Sequence, residues 1–241
     1  MTTNPLKVDL EILIESLGDC GWLVHFPTET LASDWSERIR TQGLADVVEV
    51  VTAYRTAAVV CEPTLEDGAY DQLQTSIKQS VASLETGYLK AQFDHISTGR
   101  LIHVPVVYDG PDLSEVAKSV GLTEAGVVQA HTSKSFHVYA VGFLPGFPYA
   151  GYLPDMISGL TRRTSPRSCV PSGSVAIAGR QTGIYPCESP GGWHLLGRTE
   201  MVICDLEHGF FQFRPGDRIQ FVPCPGGVMP DTQETRHKQH A

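Results

Sequence analysis

Hydrophobic and polar positions alternate at the start of the chain. Val8, Leu10, Ile12 and Ile14 point one way, Asp9, Glu11 and Leu13 the other, which predicts a strand with one wetter face. Gly18-Asp19-Cys20-Gly21 reads as a turn and Trp22 to Phe26 as a second strand. Thr28 or Thr30 is placed to cap a helix ending near Arg40, with Trp35 and Ile39 four apart on its inner face. Val47–Val51 and Thr56–Cys61 predict two more strands. Leu73, Ile77, Val81 and Leu84 then recur at helical spacing over about Tyr70 to Glu85. This order predicts an antiparallel sheet with helices on one face, an α+β unit.

A strand from Leu101 to Tyr108 is broken by Asp109-Gly110-Pro111. Asp112-Leu-Ser-Glu115 resembles a helix-capping signature leading to Val120, with Gly121 as a stop. Thr123 opens a second short helix ending near His131, and Phe136 to Val141 alternates as a strand. From 142 onward Gly, Pro and Ser become dense and helical periodicity disappears. Short apolar runs at Ser174–Ile177, Met201–Cys204, Phe210–Phe213 and Arg218–Val222 predict a small β-barrel or sandwich with long ordered loops.

Composition narrows the function. A net charge of -9, from 18 basic and 27 acidic residues, argues against a nucleic-acid partner. No apolar run is long enough to span a membrane, and no secretory leader is recognisable, so a cytoplasmic location is expected. The six cysteines have no Cys-x-x-Cys spacing and no histidine pair completes a zinc pattern, so no metal is expected. Between 161 and 200 the charge reverses: Arg162, Arg163, Arg167, Arg180 and Arg198 face only Glu188 and Glu200. Such a segment either meets an anion or is a set of solvated strand-edge arginines.

Two stretches carry the chemistry: Gly142-Phe-Leu-Pro-Gly-Phe-Pro-Tyr-Ala-Gly-Tyr-Leu-Pro154 and Pro171 to His194. Long loops rich in Gly and Pro are expensive to order unless they build a site. Phe143, Phe147, Tyr149 and Tyr152 either line a pocket or cover the barrel end as core. The polar candidates are His131, Arg162, Arg163, Ser174, Gln181, Thr182, Glu188, Ser189 and His194. His131 is a possible base or a satisfied buried histidine. Glu188 is an oriented acid or half of an ion pair. Gln181-Thr182-Gly183 offers amide, hydroxyl and backbone N–H groups to a carboxylate or amide. Gly192 to Thr199 has phosphate-loop spacing, but Trp-His-Leu-Leu between its glycines is too bulky for a phosphate cradle.

Gly-Phe-Leu-Pro-Gly-Phe-Pro-Tyr-x-Gly-x-Leu, followed by Pro-x-Gly-Ser-Val-Ala-Ile-Ala-Gly-x-Gln-Thr-Gly-Ile-Tyr-Pro-x-Glu-Ser-Pro-Gly-Gly-Trp, closely resembles the allophanate hydrolase subunit 1 family. That family includes 5-oxoprolinase B subunits and KipI-type inhibitors of a sporulation histidine kinase. The resemblance covers nearly the whole chain. It implies a small α+β domain over 1–95, a cyclophilin-like β-barrel over 96–225 and a polar tail over 226–241. It further implies a part in ATP-dependent opening of 5-oxoproline to L-glutamate, with the chain inactive alone. A lactam is a poor electrophile; phosphorylating its oxygen makes a leaving group, and water then attacks.

The implied partners are a protein like the 5-oxoprolinase C subunit or allophanate hydrolase subunit 2, and one like the A subunit, with ATP used by the complex. Kinase inhibition and carboxyl transfer beside a biotin enzyme are the alternative activities. The expected site has Gln181, Thr182, Glu188 and His131 in catalysis. Arg162, Arg163, Ser174, Tyr185, Phe147 and Tyr149 are expected at the substrate, with the Phe147-Pro148-Tyr149 tip exposed toward a partner.

Overall fold

The structure is a computed structural model that describes residues 11–63, 66–88 and 99–224, without the side chains of Asp67 and 85–88. The chain divides into two compact units, residues 1–98 and 99–241. Val8, Leu10, the expected boundary at 95/96 and the tail 226–241 lie outside the described residues.

In the first unit, β1 (Leu13–Ser16), β2 (Gly21–His25), β3 (Val47–Ala53) and β4 (Thr56–Cys61) form an antiparallel sheet in the order β1-β2-β4-β3. Helices α1 (Glu29–Gln42) and α2 (Asp67–Tyr88) share its core. Trp22 and Val24 of β2, and Ala57, Val59 and Cys61 of β4, are the alternate residues that meet Trp35, Ile39, Leu73, Ile77, Val81 and Leu84. Thr28 is the cap, accepting the Leu31 N–H at 3.3 Å, and Trp35 donates its indole N–H to Ser80 Oγ at 2.9 Å, tying the helices together.

The second unit contains β5 (Leu101–Val106), α3 (Leu113–Val120), α4 (Glu124–Thr132), β6 (Phe136–Val141), β7 (Pro148–Gly151), β8 (Arg167–Val170) and β9 (Ser174–Ala178). These are followed by β10 (Gln181–Ile184), β11 (Ser189–Gly191), β12 (His194–Arg198), β13 (Cys204–Asp205), β14 (Phe210–Phe211) and β15 (Arg218–Pro223). Seven strands pair in the order β12-β9-β10-β7-β6-β15-β5, antiparallel throughout except for the parallel pair β15–β5. β8–β11 and β13–β14 are separate two-stranded sheets.

The edges of the seven-stranded sheet meet along an irregular seam. Val107 and Arg198 exchange two 2.9 Å hydrogen bonds, and Gly110 and Asp112 donate N–H groups to Leu196 and Leu195. The expected barrel is therefore not closed by a ladder among the described residues.

β9 is buried along its whole length. Val175 and Ile177 face a core shared with Phe136, Val138, Leu196, Ile219, Phe221 and the inner faces of α3 and α4. Ala176 and Ala178 face the other way, into a second cluster with Phe147, Val170, Tyr185, Trp193 and Leu195. Two structural expectations need correction. The long loops expected over 142–194 hold the strands β7 to β11 and the start of β12. The exposed tip at Phe147 is not found: its ring is 1% exposed and packs edge-on against Tyr185 and Trp193. Phe143, at 63% exposure, is the aromatic that reaches the surface.

Candidate functional site

His131 and Thr182 come together, but inside the main core. His131 is stacked on Phe221 and Phe136, with centroids 4.4 and 5.4 Å apart. Its Nδ1 lies 2.7 Å from the Tyr108 hydroxyl and its Nε2 2.8 Å from Thr182 Oγ1, while Thr182 donates to the Ala176 carbonyl at 3.2 Å. One assignment satisfies every group: Tyr108 O–H to Nδ1, Nε2–H to Thr182, Thr182 O–H to Ala176. Burial pushes His131 down to about 3 and the Tyr108 hydroxyl upward, so the imidazole is neutral. Both His131 and Thr182 are fully buried, which removes them from contact with a ligand at the surface.

The arginines and tyrosines gather on the opposite side of the sheet, over the second cluster. Tyr149 is half-buried and stands 5.8 Å edge-on to Trp193, which together with Tyr185 surrounds Phe147. The loop Gly191-Gly192 links Tyr185 to the arginine segment. A Cβ at Gly191 would overlap the Tyr185 hydroxyl, and one at Gly192 would stand 3.8 Å from Arg162 Cβ. Burial raises the Tyr149 and Tyr185 hydroxyls, and in both the charge of Arg162 pulls the other way. Arg162 is exposed and has no acidic partner among the described residues. Ser189 is 7% exposed, with a buried hydroxyl that no protein group satisfies among the described residues.

Gly191→Ala is expected to displace Tyr185 and lower stability by about 1–3 kcal/mol, the usual range for overpacking. Thermal unfolding of the variant checks this; an unchanged midpoint would show that the loop yields freely.

The remaining candidates separate. Arg163 pairs with Asp112 at 2.8 Å and Glu115 at 3.4 Å, so it is not a free cation. Ser174 is buried and donates to the Pro171 carbonyl at 2.7 Å, a turn-forming bond. Glu188 is exposed and interacts with the Cys169 thiol, whose pKa its hydrogen bond raises; no ion pair to arginine is formed among the described residues. Gln181 is half-buried and lies on the opposite face of β10 from Thr182, the face on which Gly183 meets Phe147. His194 Nε2 hydrogen-bonds the Thr161 carbonyl at 2.8 Å. The phosphate-loop spacing at Gly192–Thr199 falls on β12, whose Leu195, Leu196 and Gly197 are buried in the sheet.

Asp112 is the residue that sequence reasoning misplaced. It sits at the start of α3 yet makes no side-chain capping bond. Its carboxylate accepts from Arg163, twice from Arg167, and from the Leu195 N–H at 2.7 Å. Burial pushes its carboxyl upward, but the Arg167 and Leu195 hydrogen bonds and the two guanidinium charges outweigh this and hold it below the ordinary range.

The chain belongs to the carboxyltransferase domain family, subdomains C and D, which matches residues 12–209. It is 39% identical over 211 residues to the B subunit of 5-oxoprolinase from Escherichia coli O157:H7, covering 84% of this chain and 91% of that one. It is 31% identical over 227 residues to the protein of the same name from Bacillus subtilis strain 168, covering 87% and 91%. The crystal structure of TTHA0988 superposes with a TM-score of 0.69 at 31% identity over 91% of this chain, which spans 42% of the length of TTHA0988. The urea carboxylase of Kluyveromyces lactis shares the fold at 17% identity, with a TM-score of 0.58 over 88% of this chain and 22% of that one. Among the described residues no helix is long and apolar enough to cross a membrane.

Proposed function

We propose that this chain is one component of an ATP-dependent 5-oxoprolinase complex and that its arginine–tyrosine face receives the substrate carboxylate. The observation that carries this reading is Arg162, an exposed cation without an acidic partner among the described residues, whose charge reaches the hydroxyl of the half-buried Tyr149. Guanidinium and phenol donors suit one carboxylate. Tyr149, half-buried, offers apolar surface to a five-membered ring. Gln181, on the same side of β10 as this cluster, is the candidate donor to the lactam oxygen, where negative charge develops. Glu188 is the candidate acid that a partner would complete.

The chemistry is divided between chains. A phosphoryl group passes from ATP to the lactam oxygen and ADP leaves. Water adds to the ring carbon, the C–N bond breaks onto nitrogen, and the acyl phosphate is hydrolysed to L-glutamate. ATP is bound on a partner, a protein like the C or the A subunit of 5-oxoprolinase. A cyclophilin-like barrel and a cytoplasmic location belong to the same reading, and the seven-stranded sheet with its seam supports the first.

Co-expression with proteins like the A and C subunits tests the reading. The expected result is a stable complex that releases glutamate from 5-oxoproline only with ATP, while the single chain hydrolyses no ATP. Assembly without glutamate release overturns it. The family's name favours a second reading, carboxyl transfer with a biotin-carrying partner. Bicarbonate dependence and inhibition by avidin would select that one.

A further inference from the structure

Three arginines lie around the ligand face, and two of them are neutralised from beneath. Asp112 is 2% exposed and takes Arg163 Nη1 at 2.8 Å and Arg167 Nη2 at 2.7 Å on one oxygen. Its other oxygen takes Arg167 Nη1 at 2.9 Å and the Leu195 N–H at 2.7 Å. Glu115, on the exposed side of α3, adds a second carboxylate 3.4 Å from Arg163. Arg162, Arg163 and Arg167 against Asp112 and Glu115 leave one net positive charge, and it resides on Arg162. Arg167 is the register partner of Gly191, the Arg163 N–H donates to the Gly192 carbonyl at 2.8 Å, and a Cβ at Gly192 would stand 3.8 Å from Arg162 Cβ, so the three arginines border the same Gly191-Gly192 segment.

We infer that Asp112 is a specificity-determining residue: by holding Arg163 and Arg167 in buried ion pairs, it limits the site to ligands with a single negative charge, such as a monocarboxylate. A site with three free guanidiniums would prefer a dicarboxylate or a phosphate, since each unpaired cation adds attraction for a second anionic group. The inference rests on the 5-oxoprolinase reading. There the cyclic substrate carries one carboxylate and the opened product two carboxylates and an ammonium, so with Arg163 and Arg167 already paired the second carboxylate of the product finds no free guanidinium, which favours entry of substrate over retention of product. Asp112 acts through the arginines and touches no ligand itself.

The test uses the assembled complex, 5-oxoproline as substrate and glutarate, a five-carbon dicarboxylate, as competitive inhibitor. The readout is the ratio of the glutarate Ki to the 5-oxoproline KM. In Asp112→Asn this ratio is expected to fall about tenfold, the effect of unmasking a full charge roughly 10 Å away in a partly screened site. In Glu115→Gln, an exposed position that folding tolerates, a fall of about threefold is expected after solvent screening. If Asp112→Asn fails to assemble, Glu115→Gln decides alone. A ratio within about 1.5-fold of wild type in Asp112→Asn, or in Glu115→Gln where Asp112→Asn does not assemble, overturns the inference. Failure of the underlying function shows elsewhere, as a wild-type complex that leaves 5-oxoproline intact, and it removes this inference as well.

Discussion

Replacing Arg162 by glutamine is expected to raise the KM for 5-oxoproline about 10- to 100-fold in the assembled complex. That range follows from losing a charge-assisted bond of about 1.5–3 kcal/mol. The side chain is exposed and unpaired by acids among the described residues, so the melting temperature should move by no more than about 1–2 °C. Lysine at this position keeps the charge but loses the planar two-point geometry, and should recover part of the affinity. A saturation series on wild type, Arg162→Gln and Arg162→Lys makes the comparison. Equal KM values for all three would place the carboxylate elsewhere.

A second large effect concerns stability against pH. His131 is neutral and fully buried, with its folded pKa pushed down to about 3 by burial, against about 6.5 when unfolded. Between those two values the unfolded chain binds a proton that the folded chain refuses. Stability therefore falls as pH drops through 6.5 and goes on falling until about 3. From pH 7 to pH 4.5 this single site removes roughly 2–3 kcal/mol. Urea titrations at both values on wild type and His131→Gln isolate the contribution. The wild type should lose that much more stability than the variant, because Asp112 and the other acids titrate in both proteins. Identical losses would mean that water reaches His131 and lets it charge in place.

Much of the first unit can be read from the sequence, because its signals are local. Thr28 caps α1, Gly43 ends it with φ of 57°, and Leu73, Ile77, Val81 and Leu84 all point inward. The same holds for Gly121 after α3 and for Thr123, which caps α4. The strands between 148 and 198 are harder to read. β9, buried on both faces, has no alternation and is read from its apolar run Ser174–Ile177, whereas its neighbours are rich in the glycines and prolines that ordinarily mark loops. Gly183 belongs in its strand for a packing reason, since a Cβ there would come within 2.7 Å of Phe147.

The candidate site is legible in the same uneven way. Arg162, Tyr149 and Tyr185 stand out by type, and the Arg162 charge reaches both hydroxyls. Thr182 and His131 also stand out, yet they satisfy each other within the core. Asp112 carries the local signature of a helix cap, and no local pattern could reveal partners 51 and 55 residues further along. A capping bond to a backbone N–H is weaker than bonds to two guanidiniums, so the distant partners prevail.

The placement of β15 bears on how the second unit comes into being on the ribosome. β15 lies between β5 and β6, and among the described residues β5 pairs with no other strand of the sheet. Arg100, just before β5, is bound through both backbone and side chain to Asp217, 117 residues further along. At about 5–20 residues per second, β5 is synthesised roughly 6–23 s before the segment that pairs with it. Throughout that interval its ladder groups are a bare edge, open to any extended chain nearby. Nascent chains halted before residue 218 should therefore bind general chaperones and aggregate, whereas those carrying β15 clear of the exit tunnel should not.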